Sequence, residues 1–241
     1  PAIEIQNHLI TESDEILFVL EKIYGPLGQS LNEPEVLNHR RLERELFSSW
    51  CNWLCRYSHS QAQEEKKKAN FRDIAKKFEK KLQKNASGWL TPISTENGVR
   101  PGSADVVFIP YVERMNASLA YYKGYSLREE HPFINIWLKN LEQLDEYRGT
   151  QGDFHTHAHD LPPQMGGCFD YSNSKQELFA QEIDIGSGLG ALELAELPID
   201  KKSGRKFEAI ALERVIKHKE KIIAASPMHN KLFDQPLRAA L

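Results

Sequence analysis

The chain has 241 residues, 40% of them apolar, and a formal net charge of −3. That length suits one large domain or two small ones with a substantial core, and the near-balanced charge excludes a global electrostatic grip on nucleic acid or on an acidic membrane surface. No apolar run reaches the roughly 18 residues of a membrane-spanning helix.

The first stretch, "AIEIQNHLI", alternates Ile3, Ile5 and Leu9 and reads as one strand or a short hairpin turning at Gln6-Asn7. "TESDEILFVLEKIYGPLG" reads as a helix capped by Thr11 or Ser13, with Asp14 and Glu15 in its first turn and a stop at Gly25-Pro26. A long helix follows over 36–57, with Leu42, Leu46, Trp50, Leu54 and Tyr57 on one stripe. A second amphipathic helix over 61–84 turns Phe71, Ile74, Phe78 and Leu82 inward. Its nine Lys/Arg against four Asp/Glu form a solvated or docking face. "NASGWLTPISTENGVRPGS" is a break. "ADVVFIPYVERMNASLAYYKG" is apolar almost all round, the pattern of a central buried helix, with Pro110 as a kink or early-turn residue. "SLREEHPFINIWLKNLEQLDEY" opens with a capping box, Ser126 and Glu129, and buries Ile134, Trp137, Leu138 and Leu141. Residues 170–200 hold seven acids and one lysine and read as an acidic linker, and two helices close the chain. The fold class is therefore mainly α.

The N-terminal strand opening at a proline, the Glu12-Ser13 pair at a helix start, the Asp105 helix and the "P-x-ϕ-x-x-W" at Pro132 to Trp137 come in a fixed order. This ordered set resembles the soluble glutathione S-transferase family over residues 1–150. The resemblance implies a partial thioredoxin-like, glutathione-binding unit over 1–30, the family's all-helical C-terminal domain over 34–150, and a C-terminal extension over 151–241. It implies that Pro1, Glu12 and Ser13 hold glutathione. A serine at a helix N-terminus offers a hydroxyl and free N–H groups to a carboxylate, and Glu12 can meet an ammonium. It also implies a structural N-cap made by Gly102, Ser103 and Asp105, with glycine where the family has Ser or Thr. Removing Asp105 is then expected to cost about 1–3 kcal/mol. The family's preceding β-α-β unit carries the Tyr, Ser or Cys that activates the thiol. No residue of this chain takes that role by motif, so the catalytic residue is left unassigned. The chain starts at Pro1 rather than Met, as expected if a leader has been removed or the true start lies upstream.

"GDFHTHAHDLPPQMGGC", residues 152–168, is rich in groups that ligate zinc. In an extended chain His155, His157 and His159 would share a face, but at about 6.5–7 Å spacing only two suit one ion. Pro162-Pro163 and Gly166-Gly167 describe a turn. The expectation is a loop folded on the helical domain by Phe154, Leu161 and Met165, its imidazoles bonded to backbone or water, with no metal. Glutathione-transferase-like proteins of photosynthetic organisms are similar in this stretch. "EIDIGSGLGALELAEL" resembles a nucleotide-binding glycine loop but lacks the β-α units that would follow, and reads as linker. Cys51 and Cys55, one turn apart, read as core packing.

Two functions are expected from this. One is glutathione-dependent conjugation or reduction of small electrophiles. The other is a non-catalytic subunit or assembly factor of the same fold docked on a larger complex, such as a plastid photosynthetic one. Glutathione is the expected ligand, and a homodimer or a protein complex the expected assembly, without nucleic acid or a transmembrane segment. Three sparse cysteines fit a reducing intracellular compartment, cytoplasm or stroma.

Overall fold

The computed structural model describes residues 1–96, 98–148 and 150–184. The chain divides into two compact units, Pro1–Ala191 and Leu192–Leu241; the described residues all belong to the first. The glycine stretch at 186–190 and the two terminal helices expected from sequence lie outside the described residues.

The unit is mainly α. It opens with a hairpin, β1 (Ala2–Ile5) against β2 (His8–Thr11), in which Ile5 faces His8 and Ala2 faces Thr11. Gln6 and Asn7 both take positive φ, 52° and 63°, the geometry that lets a two-residue turn follow strand twist. Helix α1 (Ser13–Tyr24) follows and stops at Gly25. Its N-cap is Glu12, not Thr11 or Ser13, and the Glu12 side chain makes no cap hydrogen bond.

Helices α2 (Pro34–Leu54) and α3 (Gln61–Gln83) form the next pair. Pro34 suits the first turn of α2, where its missing N–H has no partner to lose, and Ser60 caps α3 by accepting from Gln63. The apolar stripes read from sequence point inward, except that Tyr57 falls beyond the end of α2 and is exposed. The segment taken as a plain break contains a second hairpin, β3 (Ile93–Thr95) with β4 (Gly98–Arg100).

Helix α4 (Ser103–Lys123) is the centre of the unit, buried on most sides, and carries Pro110 in its interior. Phe108 stacks on Phe78 of α3 at 4.5 Å, and Trp137 meets Phe78 edge-on at 5.5 Å. Around this lie Trp50, Trp53, Phe71 and Leu119, all close to fully buried. The expected single helix after Ser126 is broken at His131-Pro132 into α5 (Leu127–Glu130) and α6 (Pro132–Leu141), because a proline cannot continue the hydrogen-bond ladder. Ser126 still caps α5, and the four apolar residues expected to be buried on α6 are. The short α7 (Asp145–Arg148) ends this part.

The histidine stretch is not a loop. It is α8 (Phe154–Met165), capped by Asp153, whose carboxylate accepts from Thr156 N–H at 2.7 Å, and stopped by Gly166 at φ 77°. An Asp N-cap and a left-handed Gly are ordinary helix boundaries. Pro162 and Pro163 are tolerated in a helix this short, near its last turn. The packing by Phe154, Leu161 and Met165 holds. The start of the acidic stretch is likewise helical, α9 (Ser174–Asp184). Both helices lie on α4: Tyr122 Oη donates to Ala158 O, Gln176 Nε2 donates to Tyr121 O, and Phe179 and Ile183 pack on Ala120. The compact unit thus runs on past residue 150.

Candidate functional site

An apolar concavity of about 720 Å³ opens beside the N-terminal unit. Pro1, Ser13 and Ile16 line it from the hairpin and α1 side, and Val107, Pro110 and Tyr111 from α4. Arg100 and Glu146, also in its wall, form an ion pair at 3.0 Å. The volume and lining suit a small, mostly apolar molecule with a few polar handles.

The first turn of α1 brings Ser13 and Asp14 to this cavity. Glu12 sits at φ 68°, ψ 124°, a strained conformation for a residue with a side chain. That geometry sends the chain abruptly from β2 into the helix and leaves the Glu12 carboxylate out of the cap. The Glu12 side chain therefore takes up none of the first-turn N–H groups beside the Ser13 hydroxyl. The next acid, Asp14, is engaged by Arg40 at 2.6 Å. Of the three residues expected to bind glutathione, Pro1 and Ser13 share the cavity wall, and Glu12 precedes Ser13 at the helix start.

The expected helix cap is present and larger than the sequence showed. Asp105 is fully buried. It accepts from the N–H groups of Leu90 (2.8 Å), Thr91 (3.0 Å) and Gly102 (3.2 Å) and from Trp137 Nε1 (2.8 Å). Gly102 is required where it stands: a Cβ there would lie 2.0 Å from Thr91 O. The capping hydroxyl it lacks comes from Thr91, whose Oγ1 accepts from Ala104 N–H at 3.1 Å. Ser103 faces the other way and donates to Gln29 O at 2.7 Å, tying α4 to the segment after α1.

In the cavity wall, burial, then Glu113 and Glu142, push the Tyr147 hydroxyl well above its ordinary value. All three cysteines of the chain, by contrast, converge at the end of α2, which the sequence did not show because Cys168 is over 110 residues from Cys55. Phe169 N–H donates to Leu54 O at 2.9 Å, bringing the neighbours Cys55 and Cys168 together. Interaction with the Cys168 thiol, helped by Arg56 and Lys123, lowers Cys55, while burial and Cys55 push Cys51 up to about 11. At about pH 7.5 an alkylating agent is expected to modify Cys55 before Cys51, because the thiolate is the nucleophile. Peptide mass spectrometry after brief labelling reads this directly, and Cys51 labelled first would contradict it.

In α8 the histidines separate. His157 is buried near Glu113, at 3.6 Å, while His155 and His159 are exposed one turn apart. Their rings lie 4.4 Å apart, and His159 Nε2 is 2.8 Å from Asp184 Oδ1. No helix among the described residues is long and apolar enough to cross a membrane.

No known protein family matches the chain, and no curated protein is significantly similar to it.

Proposed function

We propose that the chain is a glutathione transferase-like protein that binds glutathione at the start of α1 and conjugates or reduces small electrophiles held in the adjoining apolar cavity. The observation that carries this reading is the single cavity in which Ser13, at an uncapped helix N-terminus, meets the apolar wall of α4. In this reading the thiol tripeptide's γ-glutamyl carboxylate takes the Ser13 hydroxyl and first-turn N–H groups, and Glu12 meets its ammonium. The second substrate lies against Ile16, Val107 and Pro110. The helical body is read as the family's C-terminal domain, and the hairpin with α1 as the second half of its thioredoxin-like domain. The buried cap around Asp105 supports the first of these, and the hairpin with its Glu12-Ser13 corner the second.

A second reading, a non-catalytic subunit docked on a larger complex, is favoured by one feature. Leu9 and Tyr24 expose 71% and 81% of their surfaces on the N-terminal unit, large apolar side chains that a partner would cover.

Calorimetric titration with reduced glutathione tests the first reading. Saturable binding is expected, with Ser13→Ala weakening it about ten- to hundredfold, since a hydrogen bond to a charged group contributes about 1.5–3 kcal/mol. Turnover of a small chromogenic electrophile separates the readings further: binding with turnover supports the transferase, binding without it the non-catalytic subunit. No binding at millimolar glutathione overturns the first.

A further inference from the structure

We propose that His155, His159 and Asp184 form a site for a divalent transition metal of the zinc class on the exposed face of α8 and α9. This is independent of the glutathione reading, whose cavity is lined by other residues.

The helix changes the spacing on which the no-metal expectation rested. In a strand, ligands two apart are too far for one small ion to gather three. In a helix, positions i and i+4 lie on one face one turn apart, and His155 and His159 do so with ring centres 4.4 Å apart. The third ligand comes from the last turn of α9. One ligand atom from each of the three residues lies within 4.8 Å of the other two. Around an ion with bonds of about 2.0–2.1 Å, tetrahedral ligands stand roughly 3.3 Å apart. Small side-chain rotations at these exposed positions would widen the 2.8 Å His159–Asp184 separation and close the remaining gap to His155.

The ligands are held by groups behind them. Tyr121 Oη donates to Asp184 Oδ2 at 3.1 Å, and the Tyr121 ring meets His159 edge-on at 5.1 Å. The same residue's carbonyl accepts from Gln176 of α9. Tyr121 of α4 therefore orients the carboxylate, braces one imidazole and anchors the helix that brings the carboxylate in, the supporting role that outer partners play at metal sites. A plain surface ion pair accounts for His159 with Asp184 but contributes little, and leaves the adjacent His155 ring without a reason.

The donor set selects the ion class. Two imidazoles and a carboxylate suit zinc, copper or nickel rather than calcium or magnesium, which prefer all-oxygen shells. The His159 and Asp184 side chains are 43% and 46% exposed, so an ion can enter and water can complete its shell.

The test uses the full chain without a His tag, stripped with a chelator and titrated with zinc ion alone. One zinc per chain is expected, at micromolar affinity or better. His155→Ala and Asp184→Asn should each weaken it at least tenfold, while His8→Ala, on the distant hairpin, leaves it unchanged. Zinc should also raise the melting temperature of the native chain but not of His155→Ala, because the ion ties α8 to α9 only when bound. Both substituted positions are exposed, and circular dichroism checks that the variants fold. Binding equal in all variants shows an adventitious ion only and overturns the proposal, as does the absence of saturable binding at about 100 µM zinc.

Discussion

Replacing Asp105 by alanine is expected to destabilise the unit by about 3–5 kcal/mol, more than the single helix cap read from sequence would lose. The carboxylate is the acceptor for three backbone N–H groups from two segments and for the Trp137 indole, all buried. Each donor stranded without a partner costs about 1–3 kcal/mol before the site relaxes, and mutations that break such a network sit at the upper end of single-residue effects. Asp105→Asn keeps one acceptor oxygen but turns an NH₂ toward donors, so an intermediate loss is expected. Urea unfolding measures both. A loss below about 1 kcal/mol for Asp105→Ala would mean that water or neighbouring carbonyls take over the donors. Because Asp105 joins the loop at Leu90-Thr91, the start of α4 and Trp137 of α6, the loss should also loosen the cavity wall formed by Val107 and Pro110.

The legible parts of this fold were those with local causes. The hairpin turn at Gln6-Asn7, the stop at Gly25 and the apolar stripes of α2, α3 and α6 follow from turn chemistry and periodicity, which a single segment carries by itself. The β3–β4 hairpin was missed because its strands are three residues each, too short for alternation to show. The histidine helix was missed for a different reason. Two prolines and two glycines dominate the local signal, whereas Asp153 at the cap and the burial of Ala158 and Leu161 against α4 decide the structure. Tertiary packing overrode propensity there. The pairing of Cys55 with Cys168 and of His159 with Asp184 depends on which helices lie together, and spacing along one chain does not contain that. The Ser13 corner was legible as a motif, but the cavity beside it was not.

Removing Lys123 is expected to cost about 3–5 kcal/mol, the range for breaking one partner out of a buried ion pair. Lys123 Nζ lies 3.0 Å from Glu64 Oε1, with side-chain exposures of 1% and 3%. The carboxylate also accepts from Trp53 Nε1 at 2.7 Å and Ser58 Oγ at 2.6 Å, which join α2, the loop after it and α3. In Lys123→Ala the glutamate keeps these two bonds but loses its directly paired countercharge, leaving only Lys67, which reaches it through Ser58 Oγ. Lys123→Met with Glu64→Gln should recover much of the loss, since a neutral amide still accepts from Trp53 and the neighbouring buried Lys67 keeps its bonds to Arg56 O, Tyr57 O and Ser58 Oγ. The pH dependence follows from the same geometry. Burial pushes the Glu64 carboxyl up, but the hydrogen bonds from Ser58, Lys123 and Trp53 together hold it below its ordinary value. A carboxyl depressed in the folded chain stabilises it fully above the unfolded value, near 4.5, and that contribution is lost as pH falls through the folded value. Between about pH 5 and pH 3 the native chain should therefore lose more stability than the Glu64→Gln, Lys123→Met variant. Parallel pH profiles of the two would show instead that folding does not lower the Glu64 carboxyl.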